Sequence, residues 1–95
     1  MTYAKVIGVG HYVPEQVVTN EDIAEFVDTS DEWIRERTGI EQRRWFNPDT
    51  DTVANMATKA TNLALERAGI QASEIDFIVF ATITPDYFFP GSGVL

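Results

Sequence analysis

Residues 4–13, AKVIGVGHYV, form a run of small and β-branched apolar residues closed by Pro14, which predicts a buried strand that bends at its glycines. Residues 77–83, FIVFATI, form a second and nearly continuous apolar run, suited to a strand covered on both faces in a parallel sheet. Between them the period changes. Val53, Met56, Ala57, Ala60, Leu63, Ala64 and Ala68 recur at helical spacing from Thr52 until Gly69 stops the pattern, and so many alanines predict close packing against a flat neighbour. Two shorter helices come before it. Thr19 with Asp22 is a capping box that opens a helix through about Val27, with Ile23, Phe26 and Val27 facing inward. Thr29 with Glu32 is another, opening a helix that ends at Gly39, with Asp31 and Glu32 at its positive end and Arg35 and Arg37 near its negative end. Residues 41–46 read as a short extended piece, Asn47-Pro48-Asp49 as a turn, and residues 72–74 as a turn or helical hook. The order strand, helices, long helix, strand is a βαβ-type α/β arrangement. Residues 84–93 read as a loop carrying Tyr87, Phe88 and Phe89, and residues 92–95 as the first turn of something unfinished, so the chain reads as a piece of a larger domain.

Composition narrows the classes of partner. Ninety-five residues are one small domain or less, and 44% hydrophobic with 23% charged residues is ordinary for a globular chain. A formal net charge of −8 argues against nucleic acid and anionic membranes, whose phosphates the far field repels. Four of the seven basic residues, Arg35, Arg37, Arg43 and Arg44, nevertheless fall within residues 35–44, a local field that favours a small anionic ligand. The chain has no cysteine, which removes disulfides, thiolate metal sites and cysteine nucleophiles from these residues. No apolar run reaches membrane-spanning length and the N-terminus lacks a signal-peptide pattern, so a cytoplasmic location is expected.

The candidate chemistry centres on Trp33 and Arg37. Four residues apart on a helix they share a face, offering an indole plane beside a guanidinium. A nucleotide base stacks on such a plane for ~1–3 kcal/mol, and arginine binds phosphate bidentately. Spacing alone leaves a second reading open and favours it: a core tryptophan flanked by solvated arginines. Gly8-Val9-Gly10 lacks the third glycine of a dinucleotide fingerprint and is followed by Pro14, so these glycines are read as a bend or a close packing contact. His11, the single histidine, has no partner for a metal site, and none is expected. Asp49 and Asp51 precede the long helix and read as dipole partners rather than an acid/base pair.

Several of these stretches together resemble the N-terminal part of β-ketoacyl-acyl-carrier-protein synthase III, a condensing enzyme of the thiolase-like fold. They are Gly8 to Pro14, Thr19-Asn20, Val27 to Ile34, Arg37 to Ile40 with Arg43-Arg44, and Ala81-Thr82 with Phe89-Pro90, in order along the whole chain. The resemblance implies a partial thiolase-like fold over residues 1–95 that stops before the catalytic cysteine. It implies that Trp33 stacks on the adenine of coenzyme A, that Thr29 lies beside the base, that Arg37 holds the nucleotide and its phosphates, and that Thr38 is a further member of the motif. Phe89 would reach across a homodimer to line the partner's acyl pocket. The family's nucleophilic cysteine and its oxyanion-hole histidine and asparagine would all lie beyond Leu95. The family activity is decarboxylative condensation of an acyl-CoA with malonyl-acyl-carrier-protein, with no cofactor besides the coenzyme A thioester, which is a substrate. This chain alone is then expected to be inactive, and to be marginal or to aggregate through its last strand and Phe88-Phe89. Two alternatives stay open: a non-enzymatic coenzyme A or nucleotide-binding module, and part of another thiolase-fold enzyme of the polyketide-starter or hydroxymethylglutaryl-CoA synthase kind.

Overall fold

The computed structural model describes residues 2–87, which divide between two compact units. One is Val13–Pro48; the other takes in residues 2–12 and 49–87.

Val13–Pro48 is built on a two-stranded ribbon. β1 (Gln16–Thr19) runs antiparallel to β2 (Gln42–Trp45), with Gln16 opposite Trp45 and Val18 opposite Arg43. α1 (Asn20–Ala24) starts directly from β1, because the expected capping box forms: Thr19 Oγ1 accepts the Asp22 N–H at 3.2 Å and an Asp22 carboxylate oxygen accepts the Thr19 N–H at 2.9 Å. The helix is shorter than its pattern predicts. After Ala24 the N–H groups of Glu25 and Phe26 bond back three residues, to Asp22 and Ile23, a tightened last turn that leaves Phe26 and Val27 largely exposed instead of inward-facing. Phe26 instead meets Trp45 with ring centroids 6.0 Å apart and a 55° tilt.

The capping box has a pH signature. The Thr19 N–H, with its hydroxyl adding to it, holds the Asp22 carboxyl below the ordinary aspartate range. A folded-state value below the unfolded one means the box contributes its stability above the unfolded pKa and loses it as pH falls through the folded pKa. A carboxyl carbon NMR titration is expected to show Asp22 with a depressed midpoint, and Thr19→Ala, which removes the hydroxyl but keeps the N–H, is expected to bring it only part of the way back.

α2 (Asp31–Thr38) is capped one residue later than expected. Ser30 Oγ, not Thr29, accepts the Trp33 N–H at 3.1 Å, while the Thr29 N–H turns to Val27 O at 2.8 Å. At the other end Gly39 takes the left-handed conformation at φ 74° and its N–H bonds to Arg35 O. The hydroxyl of Thr38 donates to Ile34 O at 2.8 Å and accepts the Ile40 N–H at 3.0 Å, closing the carboxyl end. No residue of α2 is fully buried, and Val18 in β1 is the one fully buried apolar residue among the described residues.

The second unit is organised by α3 (Val53–Ala68). Thr52 Oγ1 accepts the Asn55 N–H, and Gly69 at φ 72° ends the helix in a Schellman arrangement, with its own N–H on Glu66 O and the Ile70 N–H on Leu65 O. A 3-10 turn follows at Ala72–Glu74, as its sequence suggests. Close packing on the alanine face is also found: Gly8 and Gly10 lie directly on it. A Cβ added to Gly8 would sit 2.6 Å from Ala64 O and 2.8 Å from Ala68 Cβ, and one at Gly10 would collide with Ala60 O and sit 2.6 Å from Ala64 N. Arg67 reaches back to donate to Val9 O at 3.2 Å, and the Tyr12 hydroxyl donates to buried Asp51 at 3.0 Å.

Residues 4–13 and 77–83 are not strands among the described residues, against the expectation from their apolar runs, and the described sheet has two antiparallel strands and no parallel pair. Phe77, Ile78, Val79 and Ile83 are exposed rather than covered on both faces. A strand is defined by its ladder, and neither segment has a ladder partner in the described chain.

Candidate nucleotide site

The segment that turns from α1 into α2 shapes an open cleft of about 580 Å³, lined by Ile23, Val27, Asp28, Thr29, Ser30, Trp33 and Ile34. That volume lies within the range of small-molecule pockets and admits a nucleotide-sized ligand. Its walls come from the expected motif: the Ser30 cap fixes the start of α2, and the first turn then carries Trp33 and Ile34 to the cleft.

Trp33 is 52% exposed, so the reading of it as a core residue does not hold in this structure. The Arg37 guanidinium carbon lies 4.9 Å from the centre of the indole, the shared face that i, i+4 spacing predicts. Arg37 makes no hydrogen bond or ion pair among the described residues, which leaves its donors available beside an exposed aromatic plane. The other three arginines of the cluster are committed within the unit. Arg35 pairs with Asp31 at 2.9 Å, Arg43 donates to Val18 O and to Asn20 Oδ1, and Arg44 donates to Pro14 O. Arg43 and Arg44 spend donors on neutral oxygens and keep their charge, so the positive field persists while Arg37 is the arginine of the cluster with no hydrogen bond or ion pair among the described residues.

Thr29 lies in the cleft wall with Trp33, and its hydroxyl oxygen is buried with no hydrogen-bond partner among the described residues. Such an orphan costs about 1–3 kcal/mol, which a ligand donor or acceptor would offset. Thr38 is not a wall residue; its hydroxyl is used to close α2, so its connection to the cleft runs through the helix it terminates. Phe89, assigned by resemblance to an acyl pocket, lies outside the described residues, as do Phe88 and residues 92–95. Among the described residues no group of three or more histidine, cysteine, aspartate or glutamate side chains is placed to hold a metal ion, and no helix is long and apolar enough to cross a membrane.

One residue to which the sequence reading assigns no role stands behind this arrangement. Asn20 is 1% exposed, and its side-chain amide donates at 2.8 Å both to Asp31 Oδ1 and to Ile40 O, while its oxygen accepts from Arg43 at 2.7 Å. At the first position of a short helix an asparagine reads as a surface residue, and no local pattern shows that residues 31, 40 and 43 converge on it.

No protein-family profile matches the chain. The chain is 48% identical over 95 residues to the β-ketoacyl-[acyl-carrier-protein] synthase III of Alkalilimnicola ehrlichii, covering 100% of this chain and 29% of that protein. It is 56% identical over 90 residues to synthase III 1 of Halalkalibacterium halodurans, covering 95% of this chain and 28% of that protein. Among solved structures, 3-oxoacyl-[acyl-carrier-protein] synthase III from Aquifex aeolicus matches with a TM-score of 0.89 and 46% identity over 95% of this chain and 29% of its own. The priming β-ketosynthase of the R1128 polyketide pathway matches with a TM-score of 0.72 and 38% identity over 85% of this chain and 26% of its own. The chain therefore spans less than a third of the length of these relatives, and its fold is the corresponding part of the thiolase-like α/β fold.

Proposed function

We propose that this chain, a relative of β-ketoacyl-acyl-carrier-protein synthase III along its whole length, supplies the nucleotide-binding part of the coenzyme A site of such a synthase. The observation that carries the reading is the exposed Trp33 with the Arg37 guanidinium 4.9 Å from its ring centre, beside a cleft of nucleotide size. Adenine stacks on the indole, Arg37 meets the phosphates with charge-assisted hydrogen bonds, and the unpartnered Thr29 hydroxyl bonds to the base. Thr38 contributes by holding the end of α2 that bears Arg37.

In the whole enzyme, a cysteine thiolate takes the acyl group from acyl-CoA and releases coenzyme A. Malonyl-acyl-carrier-protein then loses carbon dioxide, and the resulting carbanion attacks the acyl thioester and frees the cysteine. These 95 residues contain no cysteine, so their share of that reaction is substrate binding within one portion of a condensing domain, in a cytoplasmic homodimer. A polyketide priming synthase uses the same fold, but the TM-score of 0.72 at 38% identity, against 0.89 at 46% for the Aquifex aeolicus enzyme, favours the fatty-acid reading.

The test is a coenzyme A titration followed by Trp33 fluorescence, with Trp45→Phe removing the second indole. A saturable change is expected, weakened about tenfold with Arg37→Ala, the size of a charge-assisted contact of ~1.5 kcal/mol. Adenosine, which lacks phosphates, is expected to bind Arg37→Ala and the parent equally. Absence of any saturable signal with coenzyme A rules the reading out.

A further inference from the structure

The structure assigns to Asn20 the role of positioning residue for the Trp33–Arg37 platform, an inference that rests on the coenzyme A reading above. α2 buries no residue fully, so apolar packing does not fix its attitude. Polar tethers do. The single amide nitrogen of Asn20 holds the helix at both ends, through Asp31 Oδ1 at the first turn and Ile40 O just past Gly39, each at 2.8 Å. Trp33 and Arg37 lie between these two anchor points. The anchor is itself seated on the ribbon: Arg43 donates to Asn20 Oδ1 at 2.7 Å, and the Asn20 N–H donates to Glu41 O at 3.2 Å. Because Asn20 is 1% exposed, water cannot readily substitute for these bonds.

The same link selects which arginine faces a ligand. Asp31 takes Asn20 on one carboxylate oxygen and Arg35 on the other at 2.9 Å. Arg35 is thereby turned to the start of its own helix, and Arg37 is left beside the indole.

Asn20→Asp separates the tethers from the seat. It keeps the size of the side chain and an acceptor for Arg43, but places a carboxylate against Asp31 Oδ1 and Ile40 O, where two donor bonds had been. In the full chain with Trp45→Phe, the expected result is a coenzyme A Kd raised at least tenfold, with lower fluorescence anisotropy of Trp33 before ligand is added. Val18→Ala is the stability-matched comparison: it lowers the melting temperature but leaves the Kd within twofold, which a merely structural role for Asn20 would also predict for Asn20→Asp. If Asn20→Asp does not fold by circular dichroism, Asp31→Ala decides, since it removes one tether at a half-exposed position and is expected to raise the Kd about threefold. Folded Asn20→Asp, or failing that Asp31→Ala, with unchanged Kd and anisotropy overturns the role of Asn20 alone. A parent chain that does not bind coenzyme A overturns it together with the reading beneath it.

Discussion

Gly10→Ala is expected to destabilise the unit of residues 2–12 and 49–87 by about 3 kcal/mol, the upper part of the range for overpacking a close contact. The new methyl group would collide with Ala60 O and stand 2.6 Å from Ala64 N and 3.2 Å from Ala64 Cα. All three are backbone atoms of α3, so no side chain can rotate away, and relief requires residues 8–12 to lift off the helix. Gly8→Ala is expected to cost about 2 kcal/mol, because its nearest obstacles stand slightly further off than those of Gly10: Ala64 O at 2.6 Å and Ala68 Cβ at 2.8 Å, with Ala68 N at 3.1 Å. Ala68→Gly should therefore rescue Gly8→Ala in part and Gly10→Ala not at all. Gly69→Ala supplies the contrast: nothing lies within 4 Å of its Cβ position, but φ is 72°, so its cost of ~1 kcal/mol is conformational rather than steric. Urea denaturation followed by circular dichroism measures all four. Gly10→Ala within 0.5 kcal/mol of the parent, about the usual bound for a neutral surface change, would show that the glycine–alanine contact does not hold this segment.

Each side of that contact was legible because its evidence is local, a glycine pair at one place and a row of alanines at helical spacing at another, but nothing in the sequence paired the two. The Thr19–Asp22 box and the Gly39 and Gly69 stops were legible for the same reason, since each is completed within a few residues. The cap of α2 shows the limit of that method. Thr29 and Ser30 are adjacent hydroxyls, and the glutamate three residues after Thr29 selects the wrong one, because Ser30 takes the Trp33 N–H without any reciprocal partner. The role of Asn20 was invisible for a different reason. Its partners lie 11, 20 and 23 residues away, and only the tertiary arrangement makes a polar residue at a helix start the most buried side chain described. The runs at residues 4–13 and 77–83 mark a third limit: an apolar pattern reports what a segment is suited to bury, whereas a strand exists only where a neighbour supplies the ladder. The candidate residues Trp33 and Arg37 were placed on one face by spacing, yet their exposure was not, since a helix face carries no label saying whether it meets core or solvent.

Asp86→Ala is expected to cost about 2–3 kcal/mol, as befits two hydrogen bonds to a charged acceptor at a helix start. The Asp86 carboxylate accepts the Val53 N–H on one oxygen at 2.7 Å and the Ala54 N–H on the other at 2.8 Å, while Thr52 Oγ1 accepts the Asn55 N–H. The first three helical positions of α3 thus have their amide donors satisfied, two of them by a residue more than thirty positions further along. Asp51, just before the helix, is buried and accepts from Tyr12. A negative charge at the amino end also meets the positive pole of a sixteen-residue helix. Asp86→Asn keeps one acceptor and loses the charge and the second oxygen, so it is expected to retain about half of the stabilisation. Thr52→Ala, which removes one neutral bond, should cost ~1 kcal/mol. Hydrogen exchange resolves the three: Asp86→Ala should unprotect Val53 and Ala54, and Thr52→Ala should unprotect Asn55. If Asp86→Ala leaves exchange at Val53 and Ala54 unchanged, the carboxylate is not what anchors residue 86 to α3. If it raises exchange across the whole helix, the loss at one end is being read out as global opening, which places the start of α3 among the last parts of this unit to open.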